Sequence, residues 1–112
     1  MSGRLTTHVL DIAKGVPAAG MKVELHAIER SGRRLVIGTV TNEDGRIDGP
    51  LLEGETMVAG LYELTFHVGT YFHESGGFLD TVPVRFRVVE ATGHYHVPLL
   101  CSPWAYSTYR GS

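Results

Sequence analysis

Glycine and proline recur along the whole 112-residue sequence, which restricts the chain to short structural elements. There are 14 glycines and 5 prolines, and the segments between them are rich in β-branched and aromatic residues. Glycine and proline at this frequency would interrupt long helices, and the pattern is typical of many short strands joined by tight turns. We therefore predict an all-β fold of about seven or eight strands, arranged as a β-sandwich rather than as α/β layers.

Apolar and polar side chains alternate in several of these segments, as expected for strands with one face in a core. The alternation is clearest in residues 21–29, 60–69 and 84–88. Further strands are predicted at residues 4–10, 34–41, 49–52, 94–101 and 104–109. One short helix is predicted at residues 70–75, which Gly76 and Gly77 would end.

Charge and composition exclude several classes of partner. Ten basic and 12 acidic side chains give a formal net charge of −2. A protein that binds nucleic acid or anionic membranes through charge needs a basic surplus, so neither partner is expected. Apolar residues make up 43% and charged residues 20%, which is typical of a globular protein, and the length fits a single domain over residues 1–112.

The same sequence gives an expectation about location. The N-terminal residues lack the apolar run of a signal peptide, and no stretch is long and apolar enough to span a bilayer. The single cysteine, Cys101, has no intrachain partner, which fits a reducing compartment. We expect a cytoplasmic protein in which Cys101 is a small buried apolar residue.

Histidines and arginines are the candidates for chemistry, because the sequence contains no CxxC, HExxH, GxSxG or phosphate-binding glycine loop. His8 lies on a predicted strand, and Arg46 directly follows a predicted turn at Asp44 and Gly45. His94 and His96 are two residues apart, so an extended chain presents both on one face.

These signals taken singly are weak, because strand histidines are more often solvated than catalytic. We interpret His26, His67 and His73 in that way. His94 and His96 could instead be two ligands of a zinc ion, with His8 as a third, but no carboxylate or cysteine ligand is identifiable. The residues alone thus support a soluble β-sandwich with histidines as the candidates for a site.

Several motifs in combination are more specific. They include THVLD at residues 7–11, TNEDGR at 41–46, GLYELTF at 60–66, HYHVPLL at 94–100 and YRGS at 109–112. Together they resemble the 5-hydroxyisourate hydrolases, the transthyretin-like proteins of urate breakdown, over essentially the whole chain.

That resemblance implies a fold, an assembly and a reaction. The fold would be two four-stranded sheets with one short helix, in a homotetramer with active sites at the dimer–dimer interface. The reaction would be hydrolysis of 5-hydroxyisourate to 2-oxo-4-hydroxy-4-carboxy-5-ureidoimidazoline, without a cofactor or metal. The implied catalytic residues are His8, Arg46 and His96. The implied substrate-binding residues are His8, Arg46, Tyr109, Arg110, Gly111 and Ser112.

The side chains suit this chemistry. Opening a cyclic acyl–nitrogen bond requires proton transfers, which histidine performs near neutral pH. Arg46 stays cationic and offers a planar set of donors for a carbonyl or anionic edge. Two other classes remain open at this point: a transthyretin-like protein that binds a small ligand without chemistry, and a zinc-dependent cyclic amide hydrolase.

Overall fold

Two β-sheets pack face to face in the computed structural model of the chain, which describes residues 3–73 and 76–111. The strands are β1 (Arg4–Asp11), β2 (Val16–Pro17), β3 (Lys22–Glu29), β4 (Gly32–Val40), β5 (Leu52–Glu53), β6 (Gly60–Phe66), β7 (Val82–Val88), β8 (His94–Cys101) and β9 (Tyr106–Thr108). A 3₁₀ turn spans Gly54–Thr56, and helix α1 spans Val68–Tyr71. One sheet has the order β2-β1-β8-β9 with β5 also paired to β1, and the other has the order β4-β3-β6-β7. The predicted all-β sandwich is confirmed.

The described residues form nine strands where the sequence predicted seven or eight, and the predicted strand at residues 60–69 ends at Phe66. Two further local features also differ from the sequence-based expectation. The first sheet contains a fifth strand, because the chain reverses after β1 and the two residues of β2 pair back onto it. The helix begins two residues earlier than predicted, at Val68, whose fully buried side chain anchors its first turn in the core. Residues 74 and 75, the end of the predicted helix, lie outside the described residues. No helix in the described ranges has the length and apolar character needed to cross a membrane.

The core lies between the sheets and is formed by the apolar face of each alternating strand. Its completely buried side chains include Leu5 and Val9 of β1, Leu25 of β3, Phe66 of β6 and Leu99 of β8. Removal of this apolar surface from water is the main favourable contribution to folding, at about 25 cal/mol per Å².

Cys101 is also fully buried, as the sequence predicted. Burial, with a smaller effect from the neighbouring Asp11 carboxylate, raises the pKa of its thiol to about 12. The thiolate is therefore not accessible near neutral pH, and Cys101 is an apolar packing residue rather than a nucleophile.

Asp11 is a buried carboxylate that joins the end of β1 to helix α1. It accepts a hydrogen bond of 2.9 Å from the Tyr71 hydroxyl and one of 3.0 Å from the backbone N–H of Lys14. Burial and these contacts with Asp11 raise the pKa of Tyr71 to about 12, so the tyrosine stays a donor at ordinary pH.

The substitution Tyr71→Phe is expected to lower the free energy of unfolding by about 1–3 kcal/mol, because it removes a donor from a buried carboxylate. Urea denaturation of the two proteins measures the difference. Tyr106→Phe is the matched control. The side chain of Tyr106 is 46% exposed, so loss of its hydroxyl should hardly change the free energy of unfolding. Equal midpoints for Tyr71→Phe and the parent protein would contradict the assignment.

The parallel pairing of β1 with β8 determines which polar residues meet. Arg4 lies opposite His94, Thr6 opposite His96, and His8 opposite Pro98. Since alternate residues of a strand share one face, these side chains lie together on the outer face of the first sheet, away from the core. That face carries the candidate site.

Candidate active site

A tight turn between β4 and β5 positions Arg46. The side-chain oxygen of Asn42 accepts hydrogen bonds from the backbone N–H groups of Asp44, at 2.9 Å, and Arg46, at 3.1 Å. The backbone N–H of Asn42 donates to the carbonyl of Arg46 at 2.7 Å. Because the Asn42 side chain accepts hydrogen bonds from backbone N–H groups of its own turn, it fixes the conformation of this otherwise polar loop.

This turn is attached to β1 through Gly45. The backbone N–H of Val9 donates to the Gly45 carbonyl at 2.8 Å. Gly45 has φ of +75°, which favours glycine, and a Cβ there would lie 2.3 Å from the Val9 carbonyl oxygen. The close approach places Arg46 opposite His8 in an isolated antiparallel bridge. The predicted neighbours His8 and Arg46 are therefore brought together by backbone pairing.

The imidazole of His8 is held by the same turn. Its Nε2 lies 2.9 Å from the carbonyl oxygen of Asp44. Because a carbonyl only accepts, Nε2 is the donor, and Nδ1 carries the lone pair when the ring is neutral. The turn thus sets both the position of Arg46 and the tautomer of His8.

His96 is held by β1 on one side and by the C-terminal segment on the other. Its Nδ1 lies 2.8 Å from the hydroxyl oxygen of Thr6, and its carbonyl accepts a hydrogen bond of 2.7 Å from the N–H of Gly111. Partial burial lowers the pKa of His96 below its ordinary value of 6.5, and electrostatic interactions with Arg46 and then His8 lower it further. His96 is therefore mainly neutral at pH 7.

We call the surface formed by His8, Arg46 and His96 the histidine–arginine cleft. A cavity of about 240 Å³ opens on the Arg46 side of it. The lining residues are Arg4, Thr6, Thr7, Arg46, Ile47 and Gly49. The Arg46 side chain is exposed and, among the residues that the structure describes, its guanidinium forms no hydrogen bond or ion pair. Its donors are free to bind a carbonyl or anionic group of a ligand.

The predicted C-terminal site residues divide between two places. Gly111 packs on the His96 ring, whereas Arg110 lies over the Tyr95 ring at 4.2 Å from its centroid. Tyr109 and Arg110 line a separate groove of about 420 Å³ between β7 and the β8–β9 edge. Ser112 lies outside the described residues. Of the described residues 109–111, only Gly111 reaches the histidine–arginine cleft within one chain, and substrate contacts by Tyr109, Arg110 and Ser112 stay a prediction.

His26 and His67 lie away from this cleft. His67 pairs with Glu24 at 2.9 Å and His26 contacts Arg33 at 3.3 Å, both on the outer face of the second sheet. In residues 3–73 and 76–111, no three or more His, Cys, Asp or Glu side chains are grouped so that they could hold a metal ion. The grouping of His8, His94 and His96 that the zinc hypothesis requires is therefore not formed by this chain.

Sequence reasoning placed Asn42 in a turn and Thr6 on the same strand face as His8, but it gave neither residue a role in the site. Asn42 carries a recognisable signal, since an asparagine two residues before an Asp-Gly pair is typical of a turn that it stabilises itself. Thr6 carries none, because its contact with His96 joins residues 90 positions apart and depends on the register of β1 with β8.

The fold and the cleft define the class: a transthyretin-like β-sandwich with two histidines and an arginine on the outer face of one sheet. The chain belongs to the HIUase/Transthyretin family, whose model matches residues 5–111. It is 55% identical to 5-hydroxyisourate hydrolase 2 of Rhizobium meliloti, with 99% of this chain and 98% of the relative aligned.

Solved structures are similar over the same extent. The 5-hydroxyisourate hydrolase of Klebsiella pneumoniae matches with a TM-score of 0.84 and 35% identity, covering 98% of this chain and 99% of that one. Transthyretin from Sparus aurata matches with a TM-score of 0.88 and 28% identity, covering 96% of each chain. The fold is common to both, while the sequence identity is higher to the hydrolases.

Proposed function

We propose that this chain is an enzyme that hydrolyses 5-hydroxyisourate to 2-oxo-4-hydroxy-4-carboxy-5-ureidoimidazoline. The observation that carries the proposal is the convergence of His8, Arg46 and His96, from three separate parts of the sequence, on one exposed cleft. The hydrolases among its relatives align over nearly the whole chain, which supports the same reaction here. The substrate is therefore a small heterocycle with several carbonyl groups.

His96 is suited to act as the general base. A neutral imidazole at pH 7 can take a proton from water, and such proton transfer contributes about 10²–10⁴-fold to the rate. The water oxygen then bonds to the acyl carbon, while the donors of Arg46 stabilise negative charge on the carbonyl oxygen. The acyl–nitrogen bond breaks and the ring opens.

His8 is suited to deliver the proton that the leaving nitrogen gains. The leaving nitrogen gains a proton as its bond to carbon breaks, so the proton taken from water returns to the product through the imidazoles. The Asp44 carbonyl keeps Nε2 of His8 protonated, and Nδ1 is the nitrogen that exchanges its proton in the cleft. No net proton is left on the enzyme after turnover.

The pH dependence of activity tests the role of His96. Because the pKa of His96 lies below 6.5 in the folded enzyme, the acid limb of the kcat/KM profile is expected to have its midpoint below pH 6.5. Initial rates, corrected for spontaneous decay at each pH, give the profile. An acid limb centred above pH 6.5 would contradict the assignment.

The lowered pKa of His96 also affects the free energy of unfolding. The unfolded chain binds a proton at its ordinary pKa of about 6.5 and the folded chain only at a lower pH, so the unfolded state takes up more protons between the two values. The His96 contribution therefore lowers stability as the pH falls through this window. It leaves stability unchanged above the window.

We also propose that the working enzyme is a homotetramer whose active sites form between dimers. Ligand sites usually enclose about 300–1,000 Å³ and bury most of the ligand, whereas the cavity beside Arg46 measures about 240 Å³ and is open. A facing subunit would close it. Sedimentation velocity measures the assembly, and a fully active monomer would overturn this part of the proposal.

The deciding experiment is an ultraviolet assay of freshly generated 5-hydroxyisourate with and without the protein. Faster decay than the spontaneous reaction, retained after exhaustive chelation, supports the metal-free hydrolase. Loss of activity on chelation supports the zinc-dependent alternative. Absence of catalysis with measurable ligand binding supports the transthyretin-like binding protein.

The proposed location is the cytoplasm, which cell fractionation tests.

A further inference from the structure

Thr6 contacts the proposed general base without belonging to any motif of the chain. Its hydroxyl oxygen lies 2.8 Å from Nδ1 of His96, and the contact is partly buried. Thr6 also lines the cavity beside Arg46. The neighbouring Thr7 also lines this cavity, but its hydroxyl lies on the opposite face of the strand, where it donates to the Val97 carbonyl at 2.7 Å. Two consecutive threonines of β1 thus bind two consecutive residues of β8, and only one of these contacts faces the cleft.

The His96 ring is confined at two of its edges. Thr6 occupies the Nδ1 edge, and Gly111 occupies the Cδ2 edge so closely that a Cβ at Gly111 would lie 2.6 Å from Cδ2. In an imidazole, Nε2 lies at the end of the ring furthest from the backbone, next to Cδ2. With both inner edges in contact, Nε2 is the ring nitrogen left for water or substrate.

We propose that Thr6 is a positioning residue for the hydrolytic reaction: its hydroxyl oxygen accepts a hydrogen bond from Nδ1–H of His96 and leaves the lone pair on Nε2. This inference rests on the function proposed above. Which imidazole nitrogen carries the proton is set by the hydrogen bond of the other nitrogen. The same contact remains satisfied when Nε2 takes a proton, because the cationic ring still donates from Nδ1.

A hydroxyl orients the base differently from a carboxylate. An aspartate at this place would favour the cationic ring and raise the pKa of His96. Thr6 is neutral, and in the described part of the chain no carboxylate pairs with His96. The titratable groups that face the ring are Arg46 and His8, and electrostatic interaction with each of them disfavours protonation of His96. The arrangement fixes the orientation of the ring and keeps it neutral.

The kinetic test replaces the hydroxyl with a methyl group. Thr6→Val is expected to lower kcat about 10–100-fold with little change in KM, by analogy with the loss seen when the hydrogen-bond partner that orients a metal-bound histidine is removed. Thr6→Ser should restore most of the activity, because it returns the hydroxyl. If Thr6→Val does not fold, Thr6→Ala provides the same test without added bulk. A folded Thr6→Val or Thr6→Ala enzyme with wild-type kcat overturns the proposal.

Thr65→Val is the matched control. It makes the same change on β6 of the other sheet, where the buried Thr65 hydroxyl has no hydrogen-bond partner among the described residues. We expect wild-type kcat and unchanged or slightly higher stability. An equal fall in kcat for Thr65→Val and Thr6→Val would show a general effect of threonine loss and overturn the specific role of Thr6.

The second readout is independent of turnover. In ¹⁵N NMR of the assembled protein at pH 8, neutral His96 is expected as the Nδ1–H tautomer, and Thr6→Val should shift it toward the Nε2–H form that free histidine favours. A wild-type ring in the Nε2–H form overturns the proposal. If the wild-type protein does not hydrolyse 5-hydroxyisourate, the proposed function fails, and the NMR result still decides whether Thr6 sets the tautomer.

Discussion

His96→Ala is expected to lower kcat for 5-hydroxyisourate by about 10²–10⁴-fold, the usual contribution of general acid–base catalysis. Binding should change less, because the donors of Arg46 stay in place and still engage the substrate. The measurement is the initial rate of ultraviolet decay, corrected for spontaneous decay, over a range of substrate concentrations. A folded His96→Ala enzyme with full turnover would show that another group is the base.

His26→Ala provides the matched control. His26 lies on β3 in the second sheet, where it contacts Arg33 rather than any residue of the histidine–arginine cleft. Its removal should leave kcat at the wild-type value. If both variants lost activity equally, the effect would reflect loss of a histidine from the surface or altered assembly, and the role assigned to His96 would be wrong.

The fold was predictable because its signals are local. Alternation in residues 21–29 and 84–88 corresponds to β3 and β7, and the glycines and prolines between strands limit their lengths. The Asp-Gly turn before Arg46 was also visible. In contrast, the two-residue strand β2 depends on the path of the chain after β1 and has no alternation to reveal it.

The site was predictable only through the family resemblance. Residue spacing places His94 and His96 on one face, yet it does not reveal that β1 and β8 are parallel neighbours in the register that sets Thr6 beside His96. The importance of Gly111 is equally non-local. Its lack of a side chain matters because the His96 ring occupies that space, which a single sequence does not show.

The turn that carries Arg46 should be the part of the site most sensitive to one added methyl group. Gly45→Ala is expected to lower the free energy of unfolding by about 3 kcal/mol: about 1–2 kcal/mol for a left-handed backbone and about 1–3 kcal/mol for overpacking against the Val9 carbonyl. Activity should fall as well, since relief of the clash moves Arg46 away from His8, and a shift of about 1 Å can cost about 10²-fold in rate. Chemical denaturation and kcat/KM measure the two effects.

Gly15→Ala separates backbone strain from the effect of the clash. Gly15 has the same φ of +75° as Gly45, but a Cβ there meets nothing within 4 Å. This variant should lose only the strain contribution of about 1–2 kcal/mol and keep wild-type kcat/KM. Because strain is common to both variants, the excess loss in Gly45→Ala measures the contact between the turn and β1. Equal losses of stability and unchanged activity in both would mean that this contact does not hold Arg46 in the cleft.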